Sequence, residues 1–119
     1  MNNLLQLTEE LIHYNEELKE IYDSKRASGD KGDFYNEVKP YADKVRDVLN
    51  KWEQASLEWI KKAQPKYIHR MQIQQTLDNV ELVSVQAFYP ETSYNRFQSY
   101  HQSIHYNLQT IKNELTKSV

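Results

Sequence analysis

The sequence predicts an all-α protein that folds as an antiparallel, up-and-down four-helix bundle. Along four segments, apolar residues recur at alternating steps of three and four, which is the spacing of one face of an α-helix. Both glycines, Gly29 and Gly32, lie in one short polar stretch, so the rest of the chain suits helices. No segment shows the clear alternation of apolar and polar residues that is typical of a strand.

The first predicted helix begins at Leu4. Its inward face consists of Leu4, Leu7, Leu11, Tyr14, Leu18 and Ile21. The polar residues 28–33 end this pattern. The carboxylate of Asp33 is expected to accept hydrogen bonds from the first amides of the next helix.

The second predicted helix contains a proline near its start. Its inward face consists of Tyr41, Val45, Val48, Trp52, Ala55 and Trp59, preceded by Phe34 and Val38. A proline inside a helix removes a hydrogen bond and clashes with the preceding turn. Residues 34–39 are therefore expected to form either a separate short turn or a kinked entry, with Pro40 at the first helical position. Pro65 ends this helix.

The third and fourth predicted helices complete the bundle. Their inward faces consist of Ile73, Thr76, Val80, Val83 and Ala87, and of Tyr94, Phe97, His101, Ile104, Leu108, Ile111 and Leu115. Pro90 ends the third helix, and Thr92 or Ser93 is expected to cap the fourth. Each helix is expected to hold roughly 20 to 27 residues, or about 30 to 40 Å.

Four matched amphipathic helices with short connections bury their apolar faces best as one bundle, here a single domain over residues 1–119. A long coiled-coil hairpin that dimerises is the alternative. In the bundle, the connection between the second and third helices lies at the same end as both chain termini.

The composition excludes several classes of protein. Lys+Arg number 15 and Asp+Glu 17, so the formal net charge of -2 directs the chain neither to nucleic acid nor to an anionic membrane. The lack of cysteine excludes disulfides and thiolate zinc sites and fits a reducing compartment. No stretch approaches the ~20 apolar residues of a membrane span, and residues 1–10 do not resemble a secretion signal. We therefore expect a soluble cytoplasmic protein that does not bind membranes.

Positions from Trp52 onward form a recognisable pattern. They are Trp52, Pro65-Lys66-Tyr67-Ile68-His69, Gln72-Ile73, Asn79, Gln86, Arg96-Phe97, Tyr106 and Leu108. In these residues the chain resembles the YppE-like family of uncharacterised proteins from low-GC Gram-positive bacteria. The resemblance covers nearly the whole chain and implies a four-helix up-and-down bundle. It implies no activity or catalytic residues, and it does not require histidine at positions 101 or 105.

Two histidine arrangements have the spacing of metal ligands. Glu10 and His13 form one Glu-x-x-His motif, whereas di-iron bundles use two such motifs and two further glutamates; His13 also falls on an outward position. His101 and His105 lie one turn apart but lack an evident third ligand. We therefore expect no cofactor, with His101 in the core and one ring nitrogen bonded to a polar neighbour.

The most asymmetric charge feature lies between Trp59 and Leu77, where no acidic residue occurs. Its basic and aromatic residues, here termed the basic tip, are Lys61, Lys62, Lys66, Tyr67, His69 and Arg70. Cations beside an aromatic ring attract phosphate, nucleic acid or an acidic protein surface. The structural alternative is helix capping, because lysines near a helix C-terminus complement the helix dipole.

Uncharged polar residues recur every seven positions on the third helix, namely Gln72, Asn79 and Gln86. They predict either an interhelical hydrogen-bond ladder, with Gln86 near Arg96, or a polar groove for a ligand.

The outward face of the third helix includes three apolar residues, Met71, Leu82 and Val85. Exposed apolar groups of this kind predict an interface, either in a homodimer or with another protein.

Three hypotheses for the function remain. A non-catalytic protein-interaction or regulatory module is preferred, because no nucleophile or metal signature is present. The second hypothesis is a nucleic-acid or anion-binding module that uses residues 61–70, and the third is a metal-dependent enzyme. Glycine-rich phosphate loops and nucleophile elbows are excluded, because both glycines lie in one short loop. The expected partner is another protein, and nucleic acid is the less favoured partner.

Overall fold

The computed structural model describes residues 3–117 and contains four α-helices within them. The helices are α1 (Leu4–Ser28), α2 (Lys39–Ala63), α3 (Arg70–Gln86) and α4 (Tyr94–Lys117). Helices α1 and α3 each pack against both α2 and α4, so consecutive helices are neighbours around a square. This arrangement confirms the antiparallel four-helix bundle, with extents of 46 × 26 × 22 Å. The coiled-coil hairpin was the wrong alternative, because α1 and α4 close the square within one chain.

The core is built largely from the predicted inward faces of all four helices, but Tyr22, Leu49 and Ile68, which were not predicted to face inward, are also fully buried. Its largest fully buried side chains are Trp52, Tyr22, Phe97, Leu4, Leu11, Leu18, Leu49, Ile68, Ile73, Ile104, Leu108 and Ile111. The prediction was wrong for Phe34 and Tyr94, which are 48% and 49% exposed. Both lie at the end of the bundle opposite the basic tip, where Phe34 precedes α2 and Tyr94 begins α4. At this end fewer neighbouring side chains cover them.

The entry to α2 is a π-helical turn at Phe34–Val38. The amide of Val38 donates to the carbonyl of Asp33, five positions earlier, at 3.0 Å. As predicted, the Asp33 carboxylate accepts hydrogen bonds from the amides of Tyr35 and Asn36. Pro40 follows in the first turn of α2, where the missing amide proton costs little.

Helix α3 holds only 17 residues, so the predicted length of 20 to 27 residues is wrong for this helix. Its start is delayed to Arg70 because Ile68 inserts its side chain into the core and is only 1% exposed. At the other end, Thr92 Oγ1 donates to the carbonyl of Gln86 at 3.0 Å. Ser93, not Thr92, therefore caps α4, where its Oγ accepts from the amide of Arg96.

Buried polar groups join three of the four neighbouring helix pairs. The bonds are Trp52 Nε1 to Thr8 Oγ1 at 3.0 Å, Asn15 Nδ2 to the carbonyl of His101 at 3.1 Å, and Asn107 Nδ2 to Thr76 Oγ1 at 3.3 Å. Such bonds satisfy groups that water cannot reach and favour one relative placement of the helices.

The end of the bundle opposite the basic tip is tied together by side chains and backbone. Tyr22 stacks on Phe97, with ring centroids 4.1 Å apart, and its hydroxyl donates to the carbonyl of Thr92 at 2.6 Å. The amide of Gly32 donates to the carbonyl of Phe88, which joins the two loops at this end. Within residues 3–117, no helix combines the length and apolar character needed to cross a membrane.

Candidate interaction site at the basic tip

The structure brings the residues of the basic tip together around one connection. Lys61 and Lys62 lie in the last turn of α2, and Arg70 is the first residue of α3. Tyr67 borders a groove that also includes Lys117, close to the end of α4. The basic tip therefore lies at the end of the bundle where α4 finishes, as predicted.

Local contacts hold the backbone of this connection in place. Gln64 adopts a left-handed conformation, with φ of 47°, and its amide donates to the carbonyl of Ile60 at 3.0 Å. Ile68 is buried, and the side-chain oxygen of Gln72 accepts from the amide of His69 at 2.8 Å. Because Ile68 points inward, its neighbours Tyr67 and His69 are left exposed.

Most lysines outside the basic tip already have an acidic partner. Ion-paired lysines are Lys19, Lys25, Lys31, Lys39, Lys51, Lys112 and Lys117. Within the basic tip, Lys62 pairs with Glu58 at 3.5 Å. Lys61, Lys66 and Arg70 form no ion pair with any residue of the described chain, and all three are exposed. Their positive charge is therefore uncompensated at this end of the bundle.

Tyr67 presents an aromatic surface beside these cations. Its side chain is 60% exposed, and Lys66 Nζ lies 5.5 Å from its ring centroid. A polar groove of about 300 Å³ separates Tyr67 from the exposed Tyr106 of α4. An exposed aromatic ring next to an ammonium group offers both contact area and attraction to a carboxylate.

A cleft between α2 and α3 adds an apolar feature that the sequence did not indicate. Leu57, Ile60, Lys61 and Arg70 line it, with a volume of about 370 Å³. Leu57 and Ile60 are only partly buried against the core. Leu57 lies outside the predicted inward face of α2. A cleft between two helices also cannot be predicted from the residue pattern of either helix alone.

The predicted apolar interface on α3 is not one continuous patch. Met71 and Val85 are exposed at opposite ends of the helix, about 21 Å apart at ~1.5 Å per residue. The exposed polar residues Gln75 and Asp78 lie between them, and Leu82 is half-buried. Whether this face binds a second copy or another protein stays a prediction.

The polar residues of α3 do not form the predicted ladder. Gln72 caps its own helix through the amide of His69. Gln86 Oε1 is buried without a hydrogen-bond partner in the described chain, so the expected contact with Arg96 is absent.

The histidines are scattered across different environments. His13 is exposed, as its outward position predicted, and its Nε2 lies 3.7 Å from Glu17. His101 is only 9% exposed, and its Nδ1 is buried without a partner among residues 3–117, whereas a hydrogen bond with the backbone of Asn15 favours the protonated imidazole. Burial lowers the pKa of His101. His105 Nδ1 lies 4.0 Å from Glu16. Over this part of the chain, no three residues of the metal-ligating types converge.

A second aromatic and charged cluster, between α1 and α2, is internally satisfied. The Tyr41 hydroxyl donates to Glu17 at 2.6 Å, and Lys44 lies over the rings of Tyr14 and Tyr41 at 5.6 and 5.5 Å. Burial, assisted by the Glu17 carboxylate, raises the pKa of Tyr41. These contacts stabilise the α1–α2 packing, and Lys44 is the single cation among them, against three unpaired cations at the basic tip.

The fold and the site define a small four-helix bundle whose most distinctive surface is a cluster of unpaired cations at one end. The chain belongs to a family of bacterial domains of unknown function, DUF1798, which matches residues 8–115. This membership confirms the resemblance to YppE-like proteins.

Relatives from three bacteria are similar over almost their whole length. Uncharacterized protein YppE of Bacillus subtilis (strain 168) is 29% identical over 114 residues, covering 96% of this chain and 93% of YppE. The crystal structure of a Listeria innocua protein of unknown function has a TM-score of 0.92 at 30% identity, covering 97% and 92% of the two chains. A DUF1798 structure from Staphylococcus aureus has a TM-score of 0.86 at 25% identity, covering 93% and 94%. These relatives are described as uncharacterised or of unknown function, so they bring no activity to this chain.

Proposed function

We propose that this protein is a non-catalytic interaction module that binds an acidic segment of a partner protein through the basic tip. One observation carries the proposal: Lys61, Lys66 and Arg70 have no ion pair in the described chain, although most other lysines do. Uncompensated charge of one sign attracts a partner of the opposite sign and increases the rate of association.

The rigidity of the connection supports the same role. Ile68 anchors the loop in the core, and Gln72 fixes the backbone beside His69. A surface that is already ordered loses little conformational entropy when it binds, so more of the contact energy appears as affinity.

A protein partner is favoured over nucleic acid by the number of free cations. A protein that makes 6–10 phosphate contacts on DNA needs about as many cationic or polar donors, whereas the basic tip has three unpaired cations. The rest of the chain is acidic enough to give a net charge of -2. Three cations suit a short acidic protein segment better than a nucleic-acid backbone.

Affinity capture from a nuclease-treated bacterial lysate, with mass spectrometry of bound proteins, tests the proposal. The test bait carries Lys66→Glu and Arg70→Glu, and the control bait carries Arg46→Glu and Arg96→Glu. The control arginines are also exposed and without an ion pair in the described chain, but they lie away from the basic tip. Both baits undergo the same change in net charge. A glutamate in the first turn of a helix is favourable, so Arg70→Glu and Arg96→Glu are expected to leave the fold intact.

We expect an acidic protein to be captured by the wild type and the control bait but lost from the test bait. Equal recovery by all three baits would contradict the proposal. If the test bait loses binding only to an added single-stranded RNA, measured without nuclease, the second hypothesis of a nucleic-acid-binding module replaces it.

A further inference from the structure

We infer that the cleft between α2 and α3 receives an apolar side chain of the acidic partner segment, so that the recognised segment is an apolar anchor flanked by carboxylates. This inference rests on the proposed function and specifies the chemistry of the partner. It concerns Leu57, Ile60, Lys61 and Arg70, which line the cleft.

The walls of the cleft follow from helix geometry. Leu57, Ile60 and Lys61 occupy positions i, i+3 and i+4 of α2, so their side chains share one face. Arg70, as the first residue of α3, borders the cleft from the other helix. The result is a partly apolar cleft with one cation contributed by each helix.

Both kinds of group in the cleft are only partly satisfied within the described chain. Leu57 and Ile60 retain exposed apolar surface, and Lys61 and Arg70 have no ion pair there. An apolar side chain entering the cleft removes apolar surface from water. Carboxylates next to that side chain meet the two cations at the same time. A ligand with only one of these features leaves the other half of the site unused.

The size of the cleft limits what it accepts. Its volume of about 370 Å³ lies at the lower end of the range for ligand pockets, roughly 300–1,000 Å³. It suits one or two side chains such as leucine, isoleucine or phenylalanine. The cleft continues into the basic tip through Lys61 and Arg70, so an extended or helical segment bound there also passes the charged surface.

Selection from a randomised twelve-residue peptide display library, on the whole protein, identifies the preferred sequence without a known partner. We expect the enriched peptides to combine a large apolar residue with neighbouring Asp or Glu. One enriched peptide is then synthesised with its apolar residue intact and with that residue changed to alanine. The loss of one buried anchor is expected to weaken binding to the wild type roughly tenfold or more.

The protein side of the contact is tested with Leu57→Ala, with Ile12→Ala as a control. Ile12 is also a half-buried helical aliphatic residue packed against the core, but it lies on α1 and does not line the cleft. We expect Leu57→Ala to weaken the intact peptide and to have little further effect on the alanine peptide, because both changes remove the same contact. If Leu57→Ala does not fold, Ile60→Val, a smaller change in the same wall of the cleft, takes its place in the comparison of the two peptides.

The outcomes separate this inference from the proposed function. If acidic peptides are enriched, and Lys66→Glu with Arg70→Glu abolishes binding while loss of the anchor has no effect, the cleft inference is overturned and the proposed function stands. If the enriched peptides are not acidic, or binding is indifferent to the charge reversal, both are overturned.

Discussion

The indole nitrogen of Trp52 donates a 3.0 Å hydrogen bond to the hydroxyl oxygen of Thr8 across the α1–α2 contact. Both side chains are fully buried. The bond lets the largest core side chain fill the centre of the bundle without leaving a polar group unsatisfied. It also favours one register between α1 and α2, because a shift along the helix separates the donor from its acceptor.

Thr8→Val is expected to lower the free energy of unfolding by about 1–3 kcal/mol, because it keeps the shape but leaves the indole N–H without an acceptor. Denaturation in urea, followed by tryptophan fluorescence and circular dichroism, measures the change. Thr116→Val is the control, since Thr116 is exposed in the last turns of α4 and its replacement should cost less than about 0.5 kcal/mol. Equal effects of the two variants would mean that the buried bond contributes nothing.

Gly32→Ala is expected to destabilise the fold through a steric clash. A Cβ at this position lies 2.8 Å from Cβ of Phe88, which cannot move without moving its own backbone. Overpacking of this kind typically costs about 1–3 kcal/mol. Thermal and urea unfolding measure the loss, and Lys31→Ala at the exposed neighbouring position serves as the control. A Gly32→Ala protein as stable as the control would show that the two loops do not approach this closely.

The sequence predicts the bundle well because burial follows helix periodicity. Leu11, Trp52 and Ile104 lie on the predicted faces, and each is buried. The errors fall where tertiary contacts override the pattern. Ile68 lies in a connection that looks polar, yet it enters the core and shortens α3. A single buried residue between exposed neighbours gives no periodic signal.

The candidate site is predictable only in part. The charge and aromatic content of the basic tip are evident from residues 61–70. Which cations are free is not evident, because the pairing of Lys62 with Glu58 and the isolation of Lys61 depend on side-chain direction. The cleft bordered by Leu57 and Arg70 requires two helices to be placed side by side.

His101 is expected to make the stability depend on pH. Burial lowers its pKa below the ordinary value of 6.5, with Lys19 and His105 acting in the same direction and Glu16 opposing them. Between the folded and unfolded pKa values the unfolded chain binds more protons, so stability rises with pH. The contribution of neutral His101 to the free energy of unfolding is therefore complete above about pH 6.5 and is lost as the pH falls below that value.

Unfolding in urea at several pH values between about 5 and 8 tests this dependence in the wild type and in His101→Leu. The fall in stability toward acid should be shallower in His101→Leu, because the buried imidazole no longer titrates. His13→Gln, which removes an exposed imidazole of α1 that has no part in the pKa shift of His101, should keep the steeper fall. If the free energy of unfolding falls with pH at the same slope in the wild type and in His101→Leu, the pH dependence does not come from His101.

Gln64→Gly is expected to raise the free energy of unfolding by up to about 1 kcal/mol, because glycine adopts the left-handed conformation without the strain of a side chain. Gln75→Gly is the control, since Gln75 is exposed inside α3 and glycine there should cost about 1 kcal/mol. Chemical denaturation of both variants measures these opposite effects. Destabilisation of similar size in both would show that the end of α2 is not strained at Gln64.

The most direct measurement for the central claim is the affinity of the captured acidic partner for three proteins: the wild type, Lys66→Glu with Arg70→Glu, and Arg46→Glu with Arg96→Glu. Calorimetric titration at fixed ionic strength keeps screening constant. The account predicts that reversal at the basic tip weakens binding by about tenfold or more, whereas the control changes it by less than about twofold. Equal weakening in both double variants would contradict the account, because it would show that the partner responds to net charge and not to the basic tip.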